Sequence, residues 1–302
     1  MAAGLGCGAF VVSFRGHRLG LVFEPGTERL AEAVQRMYAP YLSERGGDDA
    51  PATLVVRAAV LPSGGEAVAF AAWGGVAAEP HRRPPPLPSG PVAFGDAVSL
   101  IRARIQYQLC TDAADCLMLH AASARRDGRM LVFPALSGSG KTSLCAWLCG
   151  QGFEVQGDEL VAVDADGRWA QGFRHPLNVK HRGLDLVRGM PWLEAMQAAA
   201  VSVPVGELWP WVVQPQTRPA PLCGLIFITW SAGASLQTEP LGAATAAAIL
   251  LRCLVNARNL PLNGGPWVLR LARQTPTWRV VYSDYDELLD WLDTQLPGQA
   301  SA

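Results

Sequence analysis

A short glycine-rich segment at residues 137–142, Ser-Gly-Ser-Gly-Lys-Thr, constrains this chain more than any other part of its sequence. It follows the apolar run at residues 130–133, which predicts a strand, and it opens a predicted helix from about Lys141 to Cys149. A glycine-rich turn between a strand and a helix directs backbone N–H groups inward, and the helix N-terminus adds partial positive charge. The segment therefore predicts a loop that binds nucleotide phosphates.

The last residues of this loop supply the chemistry of a phosphate site. The Lys141 ammonium can reach the β- and γ-phosphates, and the Thr142 hydroxyl can ligate Mg²⁺. The full pattern has glycine six residues before the lysine, and Ala135 stands there instead. An ordinary Ser/Gly-rich turn is the alternative interpretation. The predicted phosphate-binding residues are Leu136, Ser137, Gly138, Ser139, Gly140, Lys141, Thr142 and Ser143.

Composition limits the class of protein and of partner. Half of the 302 residues are hydrophobic, 17% are charged and the net charge is −1. We therefore expect a large buried core and no binding to nucleic acid or to anionic membranes. The seven cysteines are scattered without a C-x-x-C pair, which suits a reducing compartment. Residues 1–7 lack the basic start and long apolar run of a signal peptide, so we expect a cytoplasmic protein.

A proline-rich run at residues 81–91 divides the sequence. Residues 1–90 predict a small N-terminal α+β domain that ends in this linker, and residues 91–302 predict a larger α/β domain. The elements predicted for the first domain are strands at 10–14, 19–23 and 54–60 and a helix from Thr27 to about Tyr38.

The strand that leads into the glycine-rich loop has an uncommon predicted neighbour. Residues 117–123 predict a strand, and Asp127-Gly128 predicts a tight turn that joins it to residues 130–133. The sheet should therefore be mixed and locally antiparallel here, where common phosphate-loop proteins have a helical crossover between parallel strands. The other predicted elements are strands at 153–155, 160–163 and 222–229 and helices near 98–111, 243–257, 264–271 and 286–296.

Two adjacent carboxylates, Asp158 and Glu159, follow 17 residues after Lys141. One helix and one strand over that distance return the chain to the loop. The pair can then divide the work of phosphoryl transfer, one carboxylate binding Mg²⁺ and the other taking the proton of the acceptor. An ordinary acidic loop is the alternative. His120 lies 21 residues before Lys141 and can contact the γ-phosphate or orient the base, unless it is a hydrogen-bonded core histidine.

Three segments in this order resemble the catalytic core of HPr kinase/phosphorylase: Leu119-His120-Ala121, residues 137–142, and residues 152–159 ending in Asp158-Glu159. That family has a Met-His-Gly strand, a G-x-S-G-x-G-K-S loop and a G-H-R-L-x-A-D-D segment at matching separations. The resemblance implies that His120 is catalytic, that Lys141 binds phosphate and that Glu159 accepts the proton. It also implies that Thr142 and Asp158 bind Mg²⁺.

Over most of its length the chain is similar to a divergent subgroup, HPr-kinase-related kinase A. The subgroup's P-x-x-L-K, F-N and Y-x-D-x-D-E segments are matched at residues 176–180, 255–256 and 282–287. The core is also similar to that of phosphoenolpyruvate carboxykinase. These resemblances imply a kinase fold of the HPr-kinase/PEP-carboxykinase type with a mixed sheet. They imply ATP and Mg²⁺ as cofactors, and a serine of a protein or peptide as the acceptor. Homo-oligomerisation is a further option, since HPr kinases are hexamers.

The chain departs from this pattern at two places besides Ala135. Lys180 stands where HPr kinases carry a metal-binding glutamate, and it either contacts phosphate or lies on the surface. The family's basic loop for phosphorolysis has no equivalent after the strand at 222–229. We therefore expect phosphorylation without the reverse dephosphorylation. The tryptophan-rich segment at 190–211 suits either a substrate-facing loop or interior packing.

The sequence thus favours an ATP- and Mg²⁺-dependent kinase that phosphorylates a hydroxyl. Two alternatives stay open at this point. One is a kinase of a small-molecule alcohol, which needs a closed polar pocket beside Glu159. The other is a nucleotide-binding scaffold with little catalysis, which the Lys180 departure and the incomplete loop pattern favour.

Overall fold

A computed structural model of the chain describes residues 8–44, 52–64, 66–74, 86–174, 177 and 218–296. The chain divides into two units, whose described parts run from residue 8 to Asp112 and from Ala113 to residue 296. Each unit combines helices with a mixed sheet, so the predicted mixed α/β class is confirmed. None of the helices in these ranges combines the length and the apolar composition that crossing a membrane requires.

The first unit contains a six-stranded sheet and two helices in its described part. Their bounds are β1 Ala9–Phe14, β2 His17–Phe23, α1 Glu28–Tyr38, β3 Leu42–Glu44, β4 Ala52–Val60, β5 Glu66–Gly74, β6 Val92–Ala93 and α2 Phe94–Asp112. The strand order is β3-β1-β2-β4-β5-β6, with β2 and β4 parallel and the other pairs antiparallel. The strands predicted at 10–14 and 19–23 are confirmed, and they pair as an antiparallel hairpin. Strand β5 was not predicted from the sequence.

Helix α2 belongs to the first unit, where it contacts α1, β2, β5 and β6. The division between the units therefore follows Asp112, whereas the proline-rich run predicts a domain boundary at residue 90, before this helix. A proline-rich run shows where regular structure is interrupted, but not which sheet the next helix packs against.

The second unit holds the glycine-rich loop. Its elements are β7 Cys116–Leu119, β8 Ala121–Arg126, β9 Arg129–Pro134, α3 Lys141–Gly150, β10 Glu154–Val155, β11 Val161–Asp164, β12 Trp169–Gly172, β13 Ala220–Trp230, β14 Gln237–Pro240, α4 Ala243–Cys253, α5 Gly265–Gln274, β15 Thr277–Tyr282 and α6 Tyr285–Gln295. The sheet runs in the order β10-β8-β9-β13-β12-β11-β7, and β15 pairs with both β13 and β14. Strands β9, β13 and β15 are parallel to one another.

Helices cover both faces of this sheet. Successive side chains of a strand point to opposite faces, and β13 follows that rule. Ile226 and Ile228 pack in one core with residues of α3 and α6, while Leu225 and Phe227 pack in the other with residues of α4 and α5. The apolar runs in the sequence are continuous rather than alternating because these strands are buried on both sides.

The predicted hairpin that leads into the loop is confirmed. Strands β8 and β9 pair antiparallel across Asp127-Gly128, and both turn residues have positive φ, 52° and 73°, as a two-residue hairpin turn requires. The predicted single strand at 117–123 was wrong. It divides at His120, because β7 pairs with β11 whereas β8 pairs with β9 and β10.

Candidate active site

The predicted site residues meet at one edge of the second sheet. Strand β8 begins beside the end of β9, where Ala121 pairs with Pro134, so His120 lies next to the start of the glycine-rich loop. The chain after β10 continues along β8 through hydrogen bonds of Ser123 with Gln156 and Gly157. This path carries Asp158 and Glu159 to the same edge as the loop.

The loop between β9 and α3 is exposed to solvent in its first half and partly buried in its second half. Leu136, Ser137 and Gly138 are exposed, whereas Ser139 and Gly140 are half-buried. Gly140 has a φ of 98°, and a Cβ there would lie 3.1 Å from the Trp230 Cβ. Glycine is therefore required at this position by its backbone conformation and by a close neighbour.

A buried hydroxyl in this loop is available for a ligand. The Ser139 Oγ is inaccessible to solvent and has no hydrogen-bond partner among the described residues. A buried polar atom of this kind is costly unless something satisfies it. A phosphate group held by the loop is one ligand that would supply the missing acceptor.

Lys141, the first residue of α3, is buried, with 6% of its surface exposed. Its Nζ donates to the carbonyl oxygens of Ala135 at 2.7 Å and Leu136 at 3.1 Å, and it lies 3.1 Å from the His120 Nε2. Burial lowers the pKa of the ammonium, and the negative charges of Glu159 and Asp158 oppose that shift. The amine therefore has neutral hydrogen-bond acceptors around it and two carboxylates nearby.

Thr142 and Asp158 are in direct contact. The Thr142 Oγ1 donates to the Asp158 Oδ2 at 2.5 Å, and Asp158 is 2% exposed. The two residues come from different elements, the first turn of α3 and the segment after β10. The structure thus brings together the hydroxyl and the carboxylate that the sequence assigned to Mg²⁺.

His120 lies between Lys141 and Glu159. Because a lysine ammonium only donates hydrogen bonds, the neutral imidazole accepts at Nε2 and carries its proton on Nδ1, which lies 3.5 Å from the Glu159 Oε2. Burial and then the charge of Lys141 lower the pKa of His120, while Glu159 and Asp158 oppose the shift. The arrangement holds a neutral imidazole against the carboxylate that the sequence assigned as the base.

The last residue of α4 and the segment after it hold His120 and the strand β7 that precedes it. The His120 backbone N–H donates to the Cys253 carbonyl at 2.7 Å. Asn256 is buried and bonds to the Met118 N–H and to the carbonyls of Ala113 and Cys116, each at 2.9 Å. Sequence reasoning found Asn256 only through the resemblance at residues 255–256. An isolated asparagine after a helix gives no local signal for such a role.

Gly157, directly before the acidic pair, predicts a measurable effect on stability. Its φ is 110°, and a Cβ would lie 2.5 Å from the Phe173 carbonyl oxygen. We expect Gly157→Ala to lower the free energy of unfolding by about 2 kcal/mol or more, through backbone strain and a steric clash. Chemical denaturation measures this change.

Gly152 is a control that separates backbone strain from the steric clash. Gly152 also has positive φ, 76°, but a Cβ there would meet nothing within 4 Å. Gly152→Ala should therefore show only the backbone cost of about 1–2 kcal/mol. Equal losses in the two variants would contradict the close approach of the Gly157 segment to Phe173.

The donor set fits nucleotide phosphates and Mg²⁺. The loop offers an ammonium, a helix N-terminus and the unsatisfied hydroxyl of Ser139 to an anion. Thr142 and Asp158 offer oxygen ligands, and Mg²⁺ is commonly held by one or two carboxylates together with substrate phosphates. Within the described ranges there is no group of three or more His, Cys, Asp or Glu side chains suited to a metal ion.

Three predictions fall outside the described residues. They are Lys180, which stands where HPr kinases carry a metal-binding glutamate, the rest of the match at 176–180 apart from residue 177, and the tryptophan-rich segment at 190–211. The sequence did not predict that the backbone carbonyls of Ala135 and Cys253 contact the site, nor that Leu136, a predicted phosphate-binding residue, accepts from Lys141 through its carbonyl. Backbone acceptors leave no mark in a side-chain pattern.

No model of a known protein family matches this chain, and a search of curated proteins likewise finds no match.

Proposed function

We propose that this chain is an ATP- and Mg²⁺-dependent phosphotransferase that moves the γ-phosphoryl group of ATP to a hydroxyl. The loop from Leu136 to Ser143 binds the phosphates, with the Lys141 ammonium on the terminal groups. Thr142 and Asp158 would hold Mg²⁺, whose charge offsets that of the phosphates. Glu159 takes the proton of the acceptor hydroxyl, and His120 orients it.

One observation carries this proposal. Five side chains from three separate stretches of sequence meet at one sheet edge, linked by the Thr142–Asp158, Lys141–His120 and His120–Glu159 contacts. Phosphoryl transfer requires positioning and charge stabilisation more than covalent chemistry by the protein. A phosphate loop next to a pair of carboxylates and a neutral imidazole supplies both.

The fold that we propose for the second unit is the HPr-kinase/PEP-carboxykinase type of phosphate-loop core. The antiparallel β8–β9 hairpin that leads into the loop supports this assignment, since a common phosphate-loop core has a parallel crossover there. The sequence resemblance is the basis for the proposed fold family, and the β8–β9 hairpin is the basis for the proposed sheet topology.

The proposed acceptor is a serine of a protein or peptide, which is the acceptor that the resemblance implies. Glu159 supports an accessible acceptor site, because 29% of its side chain is exposed, in contrast to the buried Asp158 beside it. The absence of the family's basic loop after β13 in the sequence supports a kinase that does not run the phosphorolysis reaction.

Radiolabelling tests the proposed acceptor. The protein is incubated with Mg²⁺, γ-labelled ATP and a lysate of its source cells, which is then separated into macromolecules and small molecules. We expect label in a protein or peptide, and mass spectrometry should locate it on serine. Label found only among small molecules would support the alcohol kinase instead. ATP binding with no transfer to either fraction would support the scaffold.

A further inference from the structure

The glycine-rich loop has a second flank, opposite the one that carries the acidic pair. Since β9, β13 and β15 are parallel neighbours in that order, their carboxyl ends lie along one edge of the sheet. Strand β8 begins on one side of the loop and brings His120 there. Strand β13 ends on the other side with Trp230, next to Tyr282 at the end of β15.

Trp230 is attached to the loop by its backbone and exposed by its side chain. Its N–H donates to the Ser139 carbonyl at 3.1 Å, and its Cβ is the atom nearest to a Cβ built on Gly140. The residue is nevertheless 46% exposed. Because Trp230 is two residues beyond Ile228, its side chain lies on the sheet face that α3 covers.

A packed aromatic cluster stands on the same flank. The Tyr285 ring lies 5.4 Å from those of both Trp147 and Tyr282. Trp147 is on α3, the helix that begins at the end of the glycine-rich loop. The aromatic flank therefore contacts the loop through Trp230 and the helix after the loop through Trp147.

We propose that this flank is the nucleobase subsite and that the indole of Trp230 is the surface on which the base stacks. This inference rests on the proposed function, because that function puts the terminal phosphate beside Asp158 and Glu159. A ribose and two further phosphoryl groups separate the terminal phosphate from the base, so the base lies at the opposite end of the loop. An exposed aromatic ring there binds bases through their faces.

The test compares ligands with and without a base. For the Trp230→Ala variant, calorimetry in Mg²⁺ should show a dissociation constant for ATP raised about fivefold or more, since stacking on an aromatic side chain typically gives at least that factor. The affinity for inorganic tripolyphosphate should stay within about twofold of the parent. Trp230→Phe should restore most of the ATP affinity, because it keeps an aromatic face.

Trp169→Ala is the matched control. Trp169 is also an exposed tryptophan, at 43%, and it pairs with Pro221 near the start of β13. It lies about 30 Å along that strand from Trp230, given the rise per residue of a strand. The control should bind ATP as the parent does, which separates a local effect from the general loss of a large surface side chain.

The outcomes distinguish this inference from the proposed function. Unchanged ATP affinity in Trp230→Ala would overturn the inference and leave the phosphate site intact. Equal loss of ATP and tripolyphosphate binding would also overturn it, since Trp230 would then support the loop and not the base. If the parent protein binds neither ligand, the proposed function itself fails.

Discussion

Replacing Lys141 with methionine is expected to abolish phosphoryl transfer and to weaken binding of ATP and of inorganic tripolyphosphate alike. Methionine keeps most of the length of the side chain and removes only its charge and its donors. A hydrogen bond to a charged group contributes about 1.5–3 kcal/mol, which corresponds to a loss of affinity of about 10- to 150-fold. Titration calorimetry with each ligand in Mg²⁺ measures the two affinities.

The stability of the variant is the first control for this prediction. The ammonium is buried, and among the described residues it contacts the Ala135 and Leu136 carbonyls and His120. Its removal therefore relieves a desolvation cost and leaves acceptors unsatisfied. These effects oppose each other, and we expect the free energy of unfolding to change by no more than about 2 kcal/mol.

Arg270→Met provides a charge-matched control. Arg270 is on α5, whose buried residues pack in the core on the other face of the sheet from α3, and it donates to the Ala165 carbonyl at the surface. The variant loses the same charge without touching the loop and should bind both ligands as the parent does. A folded Lys141→Met variant that binds ATP with unchanged affinity would contradict the proposed phosphate site.

The parts of the fold that the sequence predicted are those fixed by local chemistry. Asp127-Gly128 specifies its hairpin because both turn residues have positive φ, a conformation that glycine and aspartate tolerate. The loop before α3 is specified in the same way, by glycines at Gly138 and Gly140 with φ of 88° and 98°. In both places, neighbouring residues in the sequence determine the backbone.

Strand β15 shows why other parts of the fold were missed. Its residues, Thr-Trp-Arg-Val-Val-Tyr at Thr277–Tyr282, do not alternate cleanly between polar and apolar. The segment becomes a strand by pairing with β13 on one side and β14 on the other, and neither pairing is visible in its own composition. The aromatic flank of the loop, which depends on this strand, could not be predicted either.

The candidate site likewise combines features that neighbouring residues determine with features that distant pairings determine. Strand and helix lengths predicted that Asp158 returns to Lys141, because one helix and one strand separate them. They did not predict how His120 and the strand before it are held. That depends on Cys253 at the end of α4 and on Asn256, which is 138 positions from its partner Met118. Contacts of that sequence separation follow from the topology of the whole unit.

Replacing Glu159 with glutamine is expected to slow phosphoryl transfer by about 10²- to 10⁴-fold, the usual contribution of a positioned general base. Glutamine has the same size and retains hydrogen bonding, but it cannot take the acceptor's proton at neutral pH. The dissociation constant for Mg²⁺ and ATP should change by less than about threefold, because the loop, Lys141 and the Thr142–Asp158 pair are unaltered. Quenched-flow measurement of a single turnover gives the transfer rate separately from binding.

Glu154→Gln is the control that separates loss of the proposed base from loss of a nearby negative charge. Glu154 is on β10, on the same segment as Glu159, and it is ion-paired with Arg125 at 2.5 Å in a half-buried position. Glutamine keeps a side-chain oxygen that can accept hydrogen bonds from Arg125, so the variant should fold and transfer phosphate within about twofold of the parent. If both variants slow transfer equally, the effect is one of general negative charge near the loop. If only Glu159→Gln is slow and its ATP affinity is intact, the carboxylate acts on the acceptor hydroxyl, because the nucleotide is bound in the same way in both.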